Sequence, residues 1–158
     1  MMRNEEKVVN LLSEKRMHIS FAESCTGGLV CATLVSCAGA SSVLEASIVT
    51  YANEAKIKYL SVSEDTIERY GVVSEQVAAE MARGVAAETG AEVGVSVTGI
   101  AGPTGATSAK PVGMVCFGFF INGREYAETV RFGDIGRDRV RASSVEHVFS
   151  RLLRLLAE

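Results

Sequence analysis

Apolar residues recur along the chain in two spacings, one typical of amphipathic helices and the other of buried strands. The opening group, Val8, Val9, Leu11 and Leu12, predicts a helix that ends near Arg16. Runs rich in β-branched and aromatic residues predict strands, and apolar stripes at helical spacing predict the remaining helices. The predicted strands span residues 18–22, 43–51, 92–98, 112–121 and 124–132, and the further helices span residues 29–37, 53–60, 75–89 and 137–156.

The order of these elements, αβαβααβββα, predicts an α/β fold, with one three-layer α/β/α domain over residues 1–158 and a mixed sheet. Asn122-Gly123 is a signal for a tight hairpin, so the last two strands are expected to be antiparallel. Ser63 and Ser74 each stand just before an acidic residue, as helix N-caps do. These serines therefore mark element boundaries rather than chemistry.

The charge balance argues against a polyanionic partner. The 158 residues carry a formal net charge of -3 and an isoelectric point near 5.5, so no long-range positive field attracts nucleic acid. A group of arginines near the C-terminus is the exception, and it suffices for a small phosphorylated ligand although not for a duplex. These are Arg131, Arg137, Arg139, Arg141, Arg151 and Arg154.

Cysteine and histidine usage argues against a metal site. The 4 cysteines form no CxxC pair and the chain has only 2 histidines, which disfavours zinc and implies no disulfide. The first residues include acids and no apolar signal segment, and the longest apolar run, residues 112–121, has about half the length of a membrane span. We therefore expect a cytoplasmic protein with no metal and no membrane partner.

Three segments hold most of the residues that support chemistry, and each follows a predicted strand. They span residues 22–28, 50–56 and 98–103. Ligands of open α/β sheets bind beyond the carboxyl ends of the strands, so we expect the three segments to converge on one pocket. The glycine-rich loop of residues 99–111 is long enough to be functional, and no stretch of the chain matches the phosphate-binding pattern GxxxxGK[ST].

The segment of residues 22–28 reads AESCTGG and joins a strand to a helix. Its composition places backbone N–H groups beside short nucleophilic side chains, an arrangement that suits both anion binding and acyl chemistry. Ser24 and Cys25 are both candidate nucleophiles, since a thiol beside a helix N-terminus can have a lowered pKa. Glu23 either accepts hydrogen bonds that orient the turn or stabilises the helix start through the dipole.

The motifs AESCTGG, VTYANEAK, SVTGIAGPTG and KPVGMV occur in this order along nearly the whole chain. Together they closely resemble the CinA C-terminal domain family, known as nicotinamide-nucleotide amidohydrolases. The resemblance implies the stand-alone form, without the molybdopterin-binding-like domain that precedes it in full-length CinA proteins. It also implies hydrolysis of the carboxamide of nicotinamide mononucleotide to nicotinate mononucleotide and ammonia, with no cofactor.

The resemblance assigns the catalytic roles to three residues. Ser24 matches the family nucleophile and Lys56 matches the active-site lysine, whereas neither His18 nor His147 lies in a family motif. Ser–Lys pairs are a known variant of the Ser-His-Asp catalytic triad. The lysine of such a pair acts as a base only where burial or a neighbouring cation lowers its pKa. Tyr51 also matches the family, and it either passes a proton between the pair or orients the carboxamide.

The same resemblance implies the binding residues. Thr98 and Gly99 match family residues that contact the nucleotide. Thr26, Gly27 and Gly28 offer backbone donors either for an oxyanion or for the phosphate of the ligand, and the sequence leaves both options open.

The arginine that binds the 5′-phosphate is expected to be Arg137 or Arg141, because a guanidinium fork matches phosphate oxygens. The family usually has a Gly-Asp-Arg run after the phenylalanine, whereas this chain reads FGDIGR over residues 132–137, so the alignment of the arginine is open.

We expect a homodimer. The alternative function is a non-catalytic nucleotide-binding regulatory module related to competence or DNA damage.

Overall fold

The computed structural model describes residues 1–158, and most of its helices and strands follow one another closely, apart from the long loop of residues 100–113. The helices are α1 Asn4–Lys15, α2 Leu29–Val35, α3 Asn53–Leu60, α4 Glu64–Tyr70, α5 Glu75–Thr89 and α6 Arg137–Ala157, with a short 3-10 turn at Ala40–Ser42. The strands are β1 Ile19–Glu23, β2 Leu44–Val49, β3 Val93–Gly99, β4 Met114–Ile121 and β5 Arg124–Arg131.

The five strands form one mixed sheet in the order β2-β1-β3-β4-β5. β1 pairs in parallel with both β2 and β3, and β4 and β5 add antiparallel ladders. The carboxyl ends of β1, β2 and β3 therefore lie side by side at one edge of the sheet. All five residues of β1 are buried because this strand is central and covered on both faces.

Helices cover both faces of the sheet. On one face, α1, α2 and α6 pack against the sheet around a mainly aliphatic hydrophobic cluster, in which Phe21 of β1 and Phe149 of α6 meet edge to face with ring centroids 6.4 Å apart. On the other face, α5 lies across β1, β3 and β4, with α3 and α4 beside it. At Gly118 of β4 a Cβ would stand 2.1 Å from the carbonyl oxygen of Ala78, so glycine lets α5 approach the sheet backbone.

The sequence-based fold class is confirmed, since helices flank a mixed five-stranded sheet. The predicted element order lacks one helix, α4, although its N-cap Ser63 was identified. This helix has seven residues and none of them is buried, so it leaves no apolar periodicity to detect. None of the helices combines the length and the apolar character that a bilayer crossing requires.

Candidate active site

The turn after β1 places Ser24 at the carboxyl edge of the sheet. The Ser24 N–H donates to the carbonyl of Val97 at 3.0 Å, so the residue extends the β1–β3 ladder by one step before the chain turns. Gly27 and Gly28 have φ values of 55° and 101°, a region that suits glycine. The Ser24 side chain is 9% exposed and thus lies just within reach of a ligand.

The carboxylate of Glu23 holds this turn together. It is fully buried and accepts five hydrogen bonds at 2.7 to 3.2 Å, three to Oε1 and two to Oε2. The donors to Oε1 are the hydroxyl of Thr26 and the N–H groups of Gly28 and Val30, and those to Oε2 are the N–H of Cys31 and the hydroxyl of Ser47. Glu23 therefore does both things expected of it, because it orients the turn and caps the start of α2.

Lys56 comes to the same place from α3. Its side chain is 1% exposed, and Nζ lies 3.1 Å from Ser24 Oγ, 2.6 Å from the carbonyl oxygen of Thr50 and 3.3 Å from that of Tyr51. Lys56 forms no ion pair with a carboxylate. Burial is the main cause that lowers the pKa of Lys56 below its usual 10.5. No neighbouring arginine contributes, although the sequence analysis allowed for one.

Lys56 Nζ donates to three oxygens, that of the Ser24 hydroxyl among them, as an ammonium group does, and a neutral amine can occupy the same place. A neutral amine has two N–H bonds and one lone pair, and Nζ has two carbonyl acceptors and one hydroxyl neighbour. When the two N–H bonds point to the carbonyls of Thr50 and Tyr51, the lone pair faces the Ser24 hydroxyl. Ser24 then donates its proton to Lys56, which is the contact that general-base activation of a serine requires.

In the segment of residues 50–56, Tyr51 and Thr50 differ from what the sequence analysis expected. Tyr51 is 61% exposed, and its hydroxyl accepts from Arg137 at 3.1 Å, so it does not lie between Ser24 and Lys56. A proton relay through Tyr51 is therefore not needed, since the pair is in direct contact. The sequence analysis missed Thr50, whose carbonyl accepts from Lys56 and whose fully buried Oγ1 has no hydrogen-bond partner.

The Cys25 side chain is poorly suited to act as a nucleophile. It is 6% exposed and packs in the main hydrophobic cluster. Burial raises the pKa of Cys25 to about 12, so the thiol stays protonated near neutral pH. This argues against the lowered pKa on which the thiol alternative rested, and Ser24 remains the candidate nucleophile of the turn.

Several predicted ligand donors already have partners within the chain. The Thr26 hydroxyl and the Gly28 N–H donate to Glu23, and the Gly27 N–H donates to the Ser24 carbonyl at 3.0 Å. These contacts correct the expectation that Gly27 and Gly28 supply backbone donors to a ligand. Of the predicted set, only the backbone N–H of Thr26 has no acceptor in the chain.

The third segment, residues 98–103, contributes backbone groups rather than side chains to the candidate site. The Thr98 hydroxyl is buried and donates to the carbonyl of Val72 at 3.0 Å, which turns it away from a ligand role. A Cβ on Gly99 would stand 2.7 Å from the side chain of Val115, so this position needs glycine for packing. The carbonyl of Gly102 lies at the rim, where it accepts from Arg137 at 2.8 Å.

The two candidate arginines have different surroundings. Arg137 is exposed and joins two rim segments through the Tyr51 hydroxyl and the Gly102 carbonyl. Arg141, one turn further along α6, is partly buried and donates to the carbonyls of Cys25 and Thr26 at 3.0 and 3.1 Å. A ligand can therefore reach Arg137 at the rim, whereas the guanidinium of Arg141 is bound to backbone carbonyls of the turn that follows Ser24.

The Ser24–Lys56 pair lies apart from a sizeable cavity elsewhere on the molecule. That cavity, of about 900 Å³, lies between the N-terminus and α6 and is lined by Met1, Phe132 and His147 among others. None of the predicted site residues borders it. We therefore locate the site from the contacts between side chains and not from the volume of a cavity.

Known proteins match this chain over most of its length. The family model described as the CinA C-terminal domain matches residues 2–156. A "CinA-like protein" of Kosmotoga olearia is 48% identical over 137 residues, which is 87% of this chain and 33% of that protein. A "CinA-like protein" of Dictyoglomus turgidum is 52% identical over 138 residues, again 87% and 33%. The chain thus spans about a third of the length of these curated relatives.

Solved structures match the whole fold. The competence/damage inducible protein CihA from Agrobacterium tumefaciens superposes with a TM-score of 0.90 at 36% identity, covering 100% of this chain and 98% of that one. A competence-damaged protein (CinA) superfamily protein from Escherichia coli superposes with a TM-score of 0.93 at 35% identity, covering 96% and 88%.

Proposed function

Because the chain belongs to the CinA C-terminal domain family, and because it buries a contacting serine–lysine pair, we propose that it is an amidohydrolase that deamidates nicotinamide mononucleotide. The products are nicotinate mononucleotide and ammonia. The single observation that supports this proposal most directly is the 3.1 Å contact between Ser24 Oγ and the buried Nζ of Lys56. The proposed reaction returns a pyridine nucleotide to the acid form and needs no cofactor.

In the first half of the reaction, Ser24 Oγ attacks the carboxamide carbon. The new O–C bond forms as the carbonyl π pair moves onto oxygen, and the hydroxyl proton passes to the lone pair of Lys56 Nζ. When the tetrahedral intermediate collapses, the C–N bond breaks. The leaving nitrogen takes the proton from Lys56 and departs as ammonia, so that an acyl ester remains on Ser24.

The second half repeats these steps with water. Lys56, again neutral, takes a proton from water as its oxygen attacks the ester carbon. The C–Oγ bond breaks and the proton returns to Ser24, which releases the carboxylic acid and restores the starting state; the acid then loses its proton to solvent. No carboxylate pairs with Lys56, and burial is the main influence on its pKa and lowers it, so the amine accepts and returns one proton per half-reaction.

Arg137 is the phosphate ligand in this proposal. It is exposed at the rim beside the Ser24 turn, and it contacts only the Tyr51 hydroxyl and the Gly102 carbonyl. A phosphate is a stronger acceptor than either of these groups. Arg137 therefore turns to the ligand when the nucleotide binds, and Tyr51 is released to pack against the pyridine ring or its carboxamide.

The experiment incubates purified protein with nicotinamide mononucleotide and measures ammonia. Wild type is expected to release ammonia, and Ser24→Ala to lose turnover while it still binds the nucleotide by calorimetry. Ser41→Ala, at an exposed loop serine without a side-chain hydrogen bond, is the matched control and keeps full activity. Nucleotide binding by wild type without ammonia release would instead support the regulatory-module alternative. An active Ser24→Ala variant would exclude the serine mechanism.

The homodimer expected from the sequence stays a prediction. Sedimentation equilibrium of the purified chain tests it, and a monomer at micromolar concentration would contradict it.

A further inference from the structure

The side chain of Thr50 is buried beside the Ser24–Lys56 pair, and its hydroxyl has no hydrogen-bond partner. Thr50 is 0% exposed, and its Oγ1 is the one fully buried side-chain nitrogen or oxygen atom of the chain without a partner. Such a hydroxyl opposes folding, because it gives up its hydrogen bonds to water and gains none in the protein. Its presence at the candidate active site therefore needs an explanation.

The register of three elements places Thr50 on the same face of the sheet as Ser24. One residue from each of β1, β2 and α3 packs in a shared hydrophobic cluster, namely Ala22, Ile48 and Leu60. Ser24 and Thr50 follow two residues later on their strands, and Lys56 lies one helical turn earlier on α3, so all three continue the same faces. The Thr50 N–H donates to the Glu23 carbonyl at 2.9 Å, which keeps β2 in register with β1 up to this point.

Covalent geometry keeps the Thr50 hydroxyl close to the Lys56 amine. Nζ lies 2.6 Å from the carbonyl oxygen of Thr50, and bond lengths hold Oγ1 of the same residue within about 5 Å of that oxygen. In the free protein, Nζ already contacts three oxygens, those of the Ser24 hydroxyl and of the Thr50 and Tyr51 carbonyls. An ammonium group has only three N–H bonds. The Thr50 hydroxyl is therefore a fourth acceptor that the free protein does not use.

The proposed reaction removes one of the three acceptors in use. When Ser24 Oγ bonds to the carboxamide carbon, one of its lone pairs enters that bond, and Nζ gains the serine proton in the same step. A buried ammonium with an unpaired N–H is unfavourable. We propose that the Thr50 hydroxyl accepts this third N–H of Lys56 until the proton passes to the leaving nitrogen, and that Thr50 is thus a positioning residue for the base. The inference rests on the proposed acyl transfer at Ser24.

The elements around Lys56 bring no charged side chain that could take this role. The Glu23 carboxylate lies on the opposite face of β1 and is occupied by its five donors. Helix α5 meets α3 through apolar side chains, among them Val77 and Met81. The Cys25 thiol is the one titratable neighbour that affects the pKa of Lys56, and its effect is smaller than that of burial.

Thr50→Val tests the proposal, because it replaces the hydroxyl by a methyl group of nearly the same shape. We expect kcat for nicotinamide mononucleotide to fall about tenfold with KM unchanged, since the lost contact forms only after Ser24 attacks. The inflection of kcat/KM with pH stays in place, because Nζ of the free protein keeps its three oxygens. The midpoint of urea denaturation stays at or above that of wild type, because an unpaired buried hydroxyl is removed.

Two further variants are the controls. Thr50→Ser keeps the hydroxyl and is expected to recover most of kcat. Thr33→Val removes a half-buried threonine hydroxyl of α2 that donates to the Leu29 carbonyl at 2.8 Å, and it is expected to keep kcat and KM at wild-type values. A wild-type kcat in Thr50→Val would overturn the proposal. So would a raised KM with unchanged kcat, which would indicate contact with the substrate.

A second measurement does not depend on the nucleotide. Methanesulfonyl fluoride modifies a nucleophilic serine: the Oγ–S bond forms, the S–F bond breaks, and the hydroxyl proton leaves through Lys56 with the fluoride. Lys56 then loses Ser24 as an acceptor. In an NMR titration of labelled lysine side chains, we expect Lys56 of the modified protein to have a lower pKa in Thr50→Val than in wild type, whereas the two unmodified proteins have the same pKa at this residue.

The outcomes separate this inference from the proposed function. Equal pKa values of Lys56 in the two modified proteins would overturn the role of Thr50 and leave the serine mechanism intact. The expected difference, in a wild type that releases no ammonia from nicotinamide mononucleotide, would support the role of Thr50 and overturn the substrate assignment alone. Failure of the reagent to modify Ser24, together with full turnover by Ser24→Ala, would overturn both.

Discussion

Glu23→Gln tests whether one buried carboxylate holds the turn that positions Ser24, the proposed nucleophile. Oε1 of Glu23 accepts from three donors and Oε2 from two, the N–H of Cys31 and the hydroxyl of Ser47. Glutamine has the same shape but only one oxygen. With that oxygen in the Oε1 position, the amide NH₂ group faces the Cys31 N–H, so one backbone donor loses its acceptor.

The magnitude follows from these five contacts. An unpaired buried donor costs about 1–3 kcal/mol, and each of the three bonds to Oε1 weakens by about 1 kcal/mol when its acceptor becomes neutral. A neutral amide is easier to bury than a carboxylate, which offsets part of this loss. We expect the free energy of unfolding to fall by about 2–4 kcal/mol. The proposed deamidase activity is expected to fall as well, because the loosened turn no longer holds Ser24 against Lys56.

Urea denaturation measures this change. With a slope of about 2 kcal/mol per molar urea, the midpoint of Glu23→Gln falls by about 1–2 M. The matched control is Glu45→Gln on β2, where a half-exposed carboxylate has only His18 at 3.8 Å as its ionic partner, so its stability is expected to stay within about 0.5 kcal/mol of wild type. Equal midpoints for both variants would refute the view that Glu23 organises the turn.

Three further predictions address the chemistry. Burial lowers the pKa of Lys56 below 10.5, and the proposed base must be neutral to accept a proton. We therefore expect kcat/KM to rise with pH and to level off above that lowered pKa. A profile that is flat from about pH 6 to 10 would contradict a lysine base. Cys25→Ser is expected to keep turnover within about threefold of wild type, since the thiol is protonated near neutral pH, whereas a loss of activity beyond about a hundredfold would point back to the thiol. Arg137→Gln is expected to raise KM for nicotinamide mononucleotide about tenfold to a hundredfold, because a hydrogen bond to a charged group contributes about 1.5–3 kcal/mol, and an unchanged KM would remove Arg137 as the phosphate ligand.

The sequence predicted the elements whose periodicity is long and strongly apolar. The strand before Ser24 and the alanine-rich helix α5 have such patterns, and both lie within a residue of their predicted bounds. It also predicted that three loops meet at one edge of the sheet, because parallel strands present their carboxyl ends together. The helix α4 was missed since its short, solvated turns leave no apolar stripe.

The family resemblance, and not the residue pattern of α3, selected Lys56, although the pattern also contains a signal that this lysine is buried. Lys56 and Leu60 are four residues apart and share one helix face, and both are buried, whereas Lys58 points to solvent. In the same way, Arg137 and Arg141 lie four residues apart on α6, so spacing alone ranks them equally. Only their placement relative to the Ser24 turn separates them, and that depends on how α6 docks against α2.

The fold keeps its buried carboxylate, Glu23, and its buried amine, Lys56, from pairing with each other. If the Glu23 carboxylate accepted from Lys56, the ion pair would raise the pKa of the lysine and remove the base at neutral pH. Instead, all five hydrogen bonds to Glu23 come from the α2 turn and from Ser47 of β2. Lys56 is left with two neutral carbonyls and the Ser24 hydroxyl. The carboxylate that stabilises the turn is thus the reason that no free carboxylate is left to charge the base.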